Sequence, residues 1–184
     1  MTVKISFSGT HNVGKTTLVH TVASYLKRHG TASVAVIPEL ARLCPYDWST
    51  YQGAVWMLTT QMQWELQLSK HEIILMDRCV LDMVAYAKAQ GFCNGLLTRL
   101  ATLWLDYYPI DMLFHVKPKS VMVDDGVRDT DVVFQRRVEA EFTHVFDVYA
   151  NSQRVHYAAC VEFNDLSLIL DCVERVIANS RRDS

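Results

Sequence analysis

The chain has 184 residues, half of them hydrophobic, and a formal net charge of -2. Domains usually run about 100–200 residues, so one domain (1–184) with a sizeable core is expected. The charge balance excludes an overall electrostatic attraction to nucleic acid or an anionic membrane, and leaves room for a local basic patch.

Five cysteines occur: Cys44, Cys79, Cys93, Cys160 and Cys172. Their number is odd and no C-x-x-C pair is present. They read as reduced thiols, commonly small buried hydrophobes, and not as a disulfide framework or a zinc site. Residues 1–7 lack the basic region and apolar stretch of a signal peptide. No apolar run approaches the ~20 residues of a membrane span. A cytoplasmic protein that does not contact a membrane is therefore expected.

Residues 3–7, with β-branched and aromatic side chains, predict a strand. Leu18, Val22, Tyr25 and Leu26 recur at helical spacing, and Gly30 stands where helices commonly end. Residues 34–37 predict a second strand, stopped by Pro38. Residues 48–70 predict a long helix, with Val55, Leu58, Met62, Leu66 and Leu68 as its apolar positions. Residues 73–76 are a continuous apolar run ending at Asp77, which suits a buried parallel strand. Residues 81–89 and 96–107 predict two helices around the turn at 91–95. Residues 112–116 predict a fourth strand, followed by Pro118. Residues 119–131 are polar and contain Asp124, Asp125 and Gly126, which predicts a mobile loop. Residues 132–149 predict a helix carrying Val138, Phe142, Val145 and Tyr149 on one face. A fifth strand falls within 155–163 and a last helix over about 166–178, with a fraying polar tail at 179–184.

Strands separated by helices imply parallel pairing. The expected architecture is α/β, a three-layer α/β/α domain with a five-stranded, mainly parallel sheet. Its ligand should lie at the C-terminal strand ends.

Gly9-Thr10-His11-Asn12-Val13-Gly14-Lys15-Thr16 matches G-x-x-x-x-G-K-[ST] between a strand and a helix, the P-loop pattern. Its backbone N–H groups cradle phosphates, helped by the positive end of the following helix. Lys15 should reach the β- and γ-phosphates, and the Thr16 hydroxyl should ligate Mg²⁺. Thr17 either touches the α-phosphate or is an ordinary first-turn threonine. His11 and Asn12 fill variable loop positions. Asp77 closes an apolar strand, where a carboxylate needs a partner. It should hold Mg²⁺, cap the helix beginning near Val80, or do both.

Glu39 and Arg42 follow the second strand. The carboxylate can accept or orient the proton of an attacking hydroxyl, and Arg42 can bind an anionic or hydroxyl group of the acceptor. Their bland alternative is a surface ion pair. Arg78 points at the same gap and can bridge donor and acceptor. Gln61 and Glu65, near Trp64, suit nucleobase recognition or a half-buried helix face. Arg128, in the Gly-containing loop, can close over the triphosphate, joined by Arg136 and Arg137, unless these are solvated charges. The lid so defined covers about 119–137.

The P-loop run through Leu18 resembles that of small P-loop kinases related to thymidylate kinase, and most of all the ribosylnicotinamide-kinase-type domain of NadR and its relatives. Pro38-Glu39-Leu40-Ala41-Arg42 resembles that group's acidic/Arg element. Asp77-Arg78-Cys79-Val80-Leu81-Asp82 resembles its D-R-[ST]-x-x-D element, with Cys79 in place of Ser or Thr. Asp125-Gly126-Val127-Arg128-Asp129 resembles the start of its lid. The resemblance covers about residues 3–146. It implies ATP with Mg²⁺ as donor and a nucleoside or nucleotide as acceptor. Catalytic roles fall on Lys15, Glu39, Asp77 and Arg128, and acceptor contacts on Glu39, Arg42, Gln61 and Arg78. Phosphate contacts fall on the P-loop, Thr17 and Arg136.

Two other acceptor or function classes stay open. One is a hydroxymethylated pyrimidine in phage DNA, approached over a rim of Lys117, Lys119, Arg128, Arg136 and Arg137. The other is a non-catalytic ATP/GTP-binding regulator. A GTPase would need N-K-x-D and D-x-x-G elements, which are missing, and a AAA+ motor would need a further sensor module. A homodimer is compatible with the sequence.

Overall fold

The computed structural model describes residues 2–30, 33–92, 95–118, 132–150 and 152–182. Five strands form one sheet: β1 (Val3–Ser8), β2 (Val34–Ile37), β3 (Ile73–Asp77), β4 (Ile110–Val116) and β5 (Val155–Val161). Their spatial order is β2-β3-β1-β4-β5, and each of these pairings is parallel. The helices are α1 (Lys15–Arg28), α2 (Tyr51–Leu68), α3 (Val80–Ala89), α4 (Leu96–Tyr107), α5 (Val132–Tyr149) and α6 (Leu166–Arg182). A single 3₁₀ turn, Leu40–Arg42, follows β2.

Strand alternation sorts the side chains into two cores. Val3, Ile5 and Phe7 of β1 and Ile73 and Leu75 of β3 pack against α1 and α6. Ile74 and Met76 of β3 face the opposite way, with Leu58 of α2, Leu81 of α3, Leu97 of α4 and Phe142 of α5. The sheet is therefore covered on both sides, as all-parallel sheets require. Among the described residues, no helix is long and apolar enough to cross a membrane.

Some boundaries move for identifiable reasons. Helix α2 begins at Tyr51 rather than 48, because Thr50 caps it: the Gly53 N–H donates to Thr50 Oγ1 at 3.2 Å. Strand β4 starts at Ile110, whose N–H donates to Arg154 O at 2.8 Å. Helix α6 continues to Arg182, so residues 179–182, expected to fray, are helical. The expected loop at 119–131 lies outside the described residues.

The apolar pattern of α2 also needs correction. Leu66 is 48% exposed, while Gln61 and Glu65 are buried. The cause is Lys4, which β1 points into the α2 side of the sheet. Lys4 Nζ donates to Glu65 Oε2 at 2.9 Å and to Tyr108 O at 2.5 Å, and Trp104 Nε1 donates to the same carboxylate oxygen at 3.0 Å. A buried ammonium needs a carboxylate more than the helix needs another leucine there.

Candidate active site

The P-loop leaves β1 at Ser8 and turns back into α1. Gly9 (φ 126°) and Gly14 (φ 89°) occupy backbone conformations that favour glycine. Space enforces the same choice. A Cβ on Gly9 would lie 2.8 Å from Val116 O, and one on Gly14 would lie 2.3 Å from Phe163 Cδ2. Helix α1 has no side-chain cap and no acidic residue in its first turn. Its leading N–H groups are thus left for an anion.

Lys15 is buried and its ammonium donates to Thr10 O. Burial, aided by Arg78, pulls its pKa down to about 7. The register Phe7↔Asp77 sets the end of β3 beside the loop. Asp77 shares the alternation of Ile73 and Leu75, so it faces α1, where Thr16 Oγ1 donates to its Oδ2 at 2.5 Å. Asp77 Oδ1 and Thr10 Oγ1 are buried without a hydrogen-bond partner. Burial raises the Asp77 pKa against the opposing pull of Lys15, Thr16 and Arg78. A carboxylate oxygen left over beside a threonine hydroxyl and a phosphate cradle fits Mg²⁺, which takes its remaining ligands from phosphate and water. Among the described residues, no cluster of three or more His, Cys, Asp or Glu could hold a metal alone. Asp77 does not cap α3. That role falls to Cys79, in a reciprocal capping box with Asp82. Burial pushes the Cys79 thiol up to about 12.

The opposite side of the loop is organised by Arg78, which has φ 86°, a conformation uncommon for a non-glycine residue. Its Nη1 donates to Gly9 O at 2.7 Å, and its Nε and Nη2 donate to Glu39 Oε1 at 3.1 and 3.0 Å. The Tyr86 ring lies 4.8 Å from the guanidinium carbon. Arg42 Nε donates to the other oxygen of Glu39 at 2.9 Å. Burial alone would raise the Glu39 pKa, but Arg78 and Arg42 hold it down to about 2. Asp82 accepts the Gly9 N–H at 3.0 Å and the Cys79 N–H at 2.9 Å, tying the D-R element to the loop.

Glu39, Arg42, Arg78 and His11 form the polar wall of a cleft of about 320 Å³. Trp48, Met57, Met83, Tyr86, Phe134 and Ala41 complete it. The Trp48 and Phe134 rings are 5.8 Å apart, and those of Tyr86 and Phe134 6.2 Å. A flat ring system can be held between such faces.

Lys15, Thr16 and Asp77 thus gather on one side of Gly9, and Glu39, Arg42 and Arg78 on the other. Thr17 is exposed on the first turn of α1. Gln61 does not join the cleft: it is fully buried, and its Nε2 donates to Glu65 Oε1 at 3.1 Å and to Met76 Sδ at 3.4 Å. Met57, one turn earlier, takes the wall position. Arg136 and Arg137 are exposed, with the Arg137 guanidinium 5.4 Å from the Phe134 ring. Arg128 and Lys119 lie outside the described residues, and Lys117 pairs with Glu139 at 3.4 Å.

Sequence reasoning overlooked Gln135, whose Nε2 donates to the P-loop carbonyl of His11 at 3.1 Å. It also passed over Trp48, Tyr86 and Phe134. Their signal was one aromatic residue before α2, one within α3 and one within α5, with no spacing to link them.

A family model described as an AAA domain matches residues 4–153. No curated protein sequence matches. Among solved structures the chain is similar to thymidylate kinase from Ehrlichia chaffeensis (TM-score 0.64, 20% identity, 96% of this chain and 98% of that one). It is similar to deoxyadenosine kinase from M. mycoides with dCMP and dCDP bound (TM-score 0.63, 15% identity, 96% and 100%). It is also similar to NadR in complex with NR (TM-score 0.71, 16% identity, 96% of this chain), of which it spans 52%. At these identities the likeness is one of fold. Over the described residues that fold is a P-loop α/β architecture with a five-stranded parallel sheet and six helices, shared with these kinase structures.

Proposed function

We propose that this chain, which belongs to the AAA domain family matched over residues 4–153, is an ATP- and Mg²⁺-dependent kinase that phosphorylates a nucleoside or nucleotide-type acceptor. The observation that carries the reading is the pairing of two half-sites across Gly9. A phosphate cradle with Lys15, Thr16 and Asp77 adjoins an aromatic cleft headed by Glu39 and Arg78. Phosphoryl transfer needs this adjacency, because positioning and charge stabilisation supply most of the catalysis.

In this reading Lys15 follows the β- and γ-phosphates, while the loop N–H groups hold the triphosphate. Thr16 and Asp77 hold Mg²⁺, which when bound neutralises charge growing on the phosphate oxygens. Glu39, with a pKa of about 2, is a feeble base. Its task is to orient the acceptor hydroxyl in line, not to remove its proton early. Among the described residues, the cleft wall sets one carboxylate, Glu39, against the two guanidinium groups of Arg42 and Arg78. The wall is therefore net positive, which suits a nucleoside or a nucleotide-type acceptor. Trp48, Tyr86 and Phe134 hold its base, and Arg128, with Arg136, completes the donor side. The chain acts as a single domain in the cytoplasm.

A second reading, a non-catalytic ATP/GTP-binding regulator, uses the same phosphate cradle and needs no acceptor. An acceptor screen by mass spectrometry decides. Free nucleosides, nucleotides and hydroxymethyluridine duplex DNA are each incubated with ATP, Mg²⁺ and either wild type or Lys15→Ala. A nucleoside or nucleotide gaining one phosphate only with wild type is expected. Phosphorylated duplex DNA would replace the acceptor class. Lys15-dependent nucleotide binding with no acceptor consumed would establish the regulator.

A further inference from the structure

We infer that Gln135 is a positioning residue for the phosphate donor: it holds the peptide between His11 and Asn12 in the orientation that offers the Asn12 N–H to a bound triphosphate. The inference rests on the triphosphate reading of the loop and gives a task to a residue outside it. Gln135 is only 7% exposed, in the first turns of α5. A glutamine amide buried on a helix is costly unless it is bonded. Its Nε2 donates to His11 O at 3.1 Å, across 124 positions of the chain. A trans peptide is planar, and its C=O and N–H point opposite ways. No peptide bond among the described residues is cis. Fixing His11 O toward α5 therefore turns the Asn12 N–H away from α5.

This peptide needs holding because of the residue that follows it. Asn12 stands at φ 60°, in the left-handed region that is costly for a residue with a side chain, though least so for asparagine. Turning the peptide over by half a rotation would carry Asn12 to a φ of about −120°, a relaxed extended conformation. The same turn would swing its N–H out of the cradle. The Gln135 amide opposes that flip. The rest of α5 is anchored without it. Val138, Phe142 and Val145 are buried, and Glu139 Oε1, one turn on, lies 3.1 Å from His115 Nε2 and 3.4 Å from Lys117 Nζ. The amide can therefore be removed without undocking the helix. The preceding residue, Phe134, stands in the aromatic wall of the cleft, so one end of α5 touches both half-sites.

Calorimetric titration of the full chain with ATP and Mg²⁺ tests this. Gln135→Met keeps the length and the apolar stem and removes the donor. It should weaken ATP binding by roughly 3- to 10-fold, the worth of one neutral hydrogen bond, with the circular dichroism spectrum of wild type. Gln135→Leu serves should that variant misfold. Asn12→Gly added to Gln135→Met should regain about 2- to 5-fold, because glycine holds φ 60° without cost and removes the drive to flip. A glutamine that merely fills space would not answer to that change. In the nucleotide-free protein the amide nitrogen resonance of Asn12 should move in Gln135→Met, since its peptide carbonyl has lost a donor. Equal ATP affinity in wild type and Gln135→Met overturns the inference and leaves the donor reading standing. So does a loss that Asn12→Gly does not regain, or an unmoved Asn12 resonance. A wild type that binds no ATP fails the donor reading itself, and the inference with it.

Discussion

Arg78 is the side chain on which both halves of the site lean, and its removal has a calculable cost. Arg78→Ala deletes the donors to Gly9 O and to Glu39, and leaves Glu39 and Asp82 facing a void. The Arg78 and Glu39 side chains are only 6% and 14% exposed, so solvent screens the pair weakly. The Glu39 carboxyl lies at about 2 instead of 4.5, with Arg78 the foremost lowering influence. That displacement is worth about 3 kcal/mol of pH-dependent stability. It matches the roughly 3–5 kcal/mol lost on breaking a buried pair. Out of a typical total of about 5–15 kcal/mol, this is a severe loss. Urea unfolding followed by circular dichroism should show it near neutral pH. The sign of the pH dependence follows from the depressed value. The Glu39 contribution is complete above about 4.5 and is lost as pH falls toward about 2. The gap between wild type and Arg78→Ala should therefore narrow on acidification. Because φ at this position is 86°, Arg78→Gly should be about 1 kcal/mol less damaging than Arg78→Ala. A loss under about 1 kcal/mol with a pH-independent gap would refute the reasoning.

Three further outcomes follow. Lys15, lowered to about 7 by burial, should take up a proton when a triphosphate binds above that pH. ATP affinity should then fall with rising pH, and calorimetry in buffers of different ionisation heat should detect the proton in wild type but not in Lys15→Ala. Gly14→Ala forces a Cβ within 2.3 Å of the Phe163 ring at φ 89°, and should weaken ATP binding by about 10-fold or more in a fluorescence titration. Glu65→Ala orphans the Lys4 ammonium at the far end of β1, and should lower the urea midpoint by an amount equivalent to about 3–5 kcal/mol. It should leave KM for ATP unchanged, since no P-loop contact is touched.

The donor half of the site was legible because its information is local. The P-loop is eight consecutive residues between a strand and a helix, and the alternation of Ile73, Leu75 and Asp77 fixes which face of the sheet the carboxylate meets. The acceptor half is dispersed. Trp48 precedes α2, Tyr86 lies in the middle of α3 and Phe134 near the start of α5, and their rings meet only once the sheet has brought these helices over one strand end. No periodicity within one element encodes such a meeting. Gln61 shows the converse error. Its polarity looked functional on a helix that passes the cleft, yet a lysine on β1, 57 positions earlier in the chain, draws Glu65 and with it Gln61 into the core. A polar residue inside an apolar pattern marks a partner somewhere in the fold. Whether that partner is a ligand or another side chain depends on which end of the strands it faces. Glu39 and Arg78 stand at the C-terminal ends and meet the cleft. Glu65 reaches Lys4, near the N-terminal end of β1, and meets another charge of the chain itself.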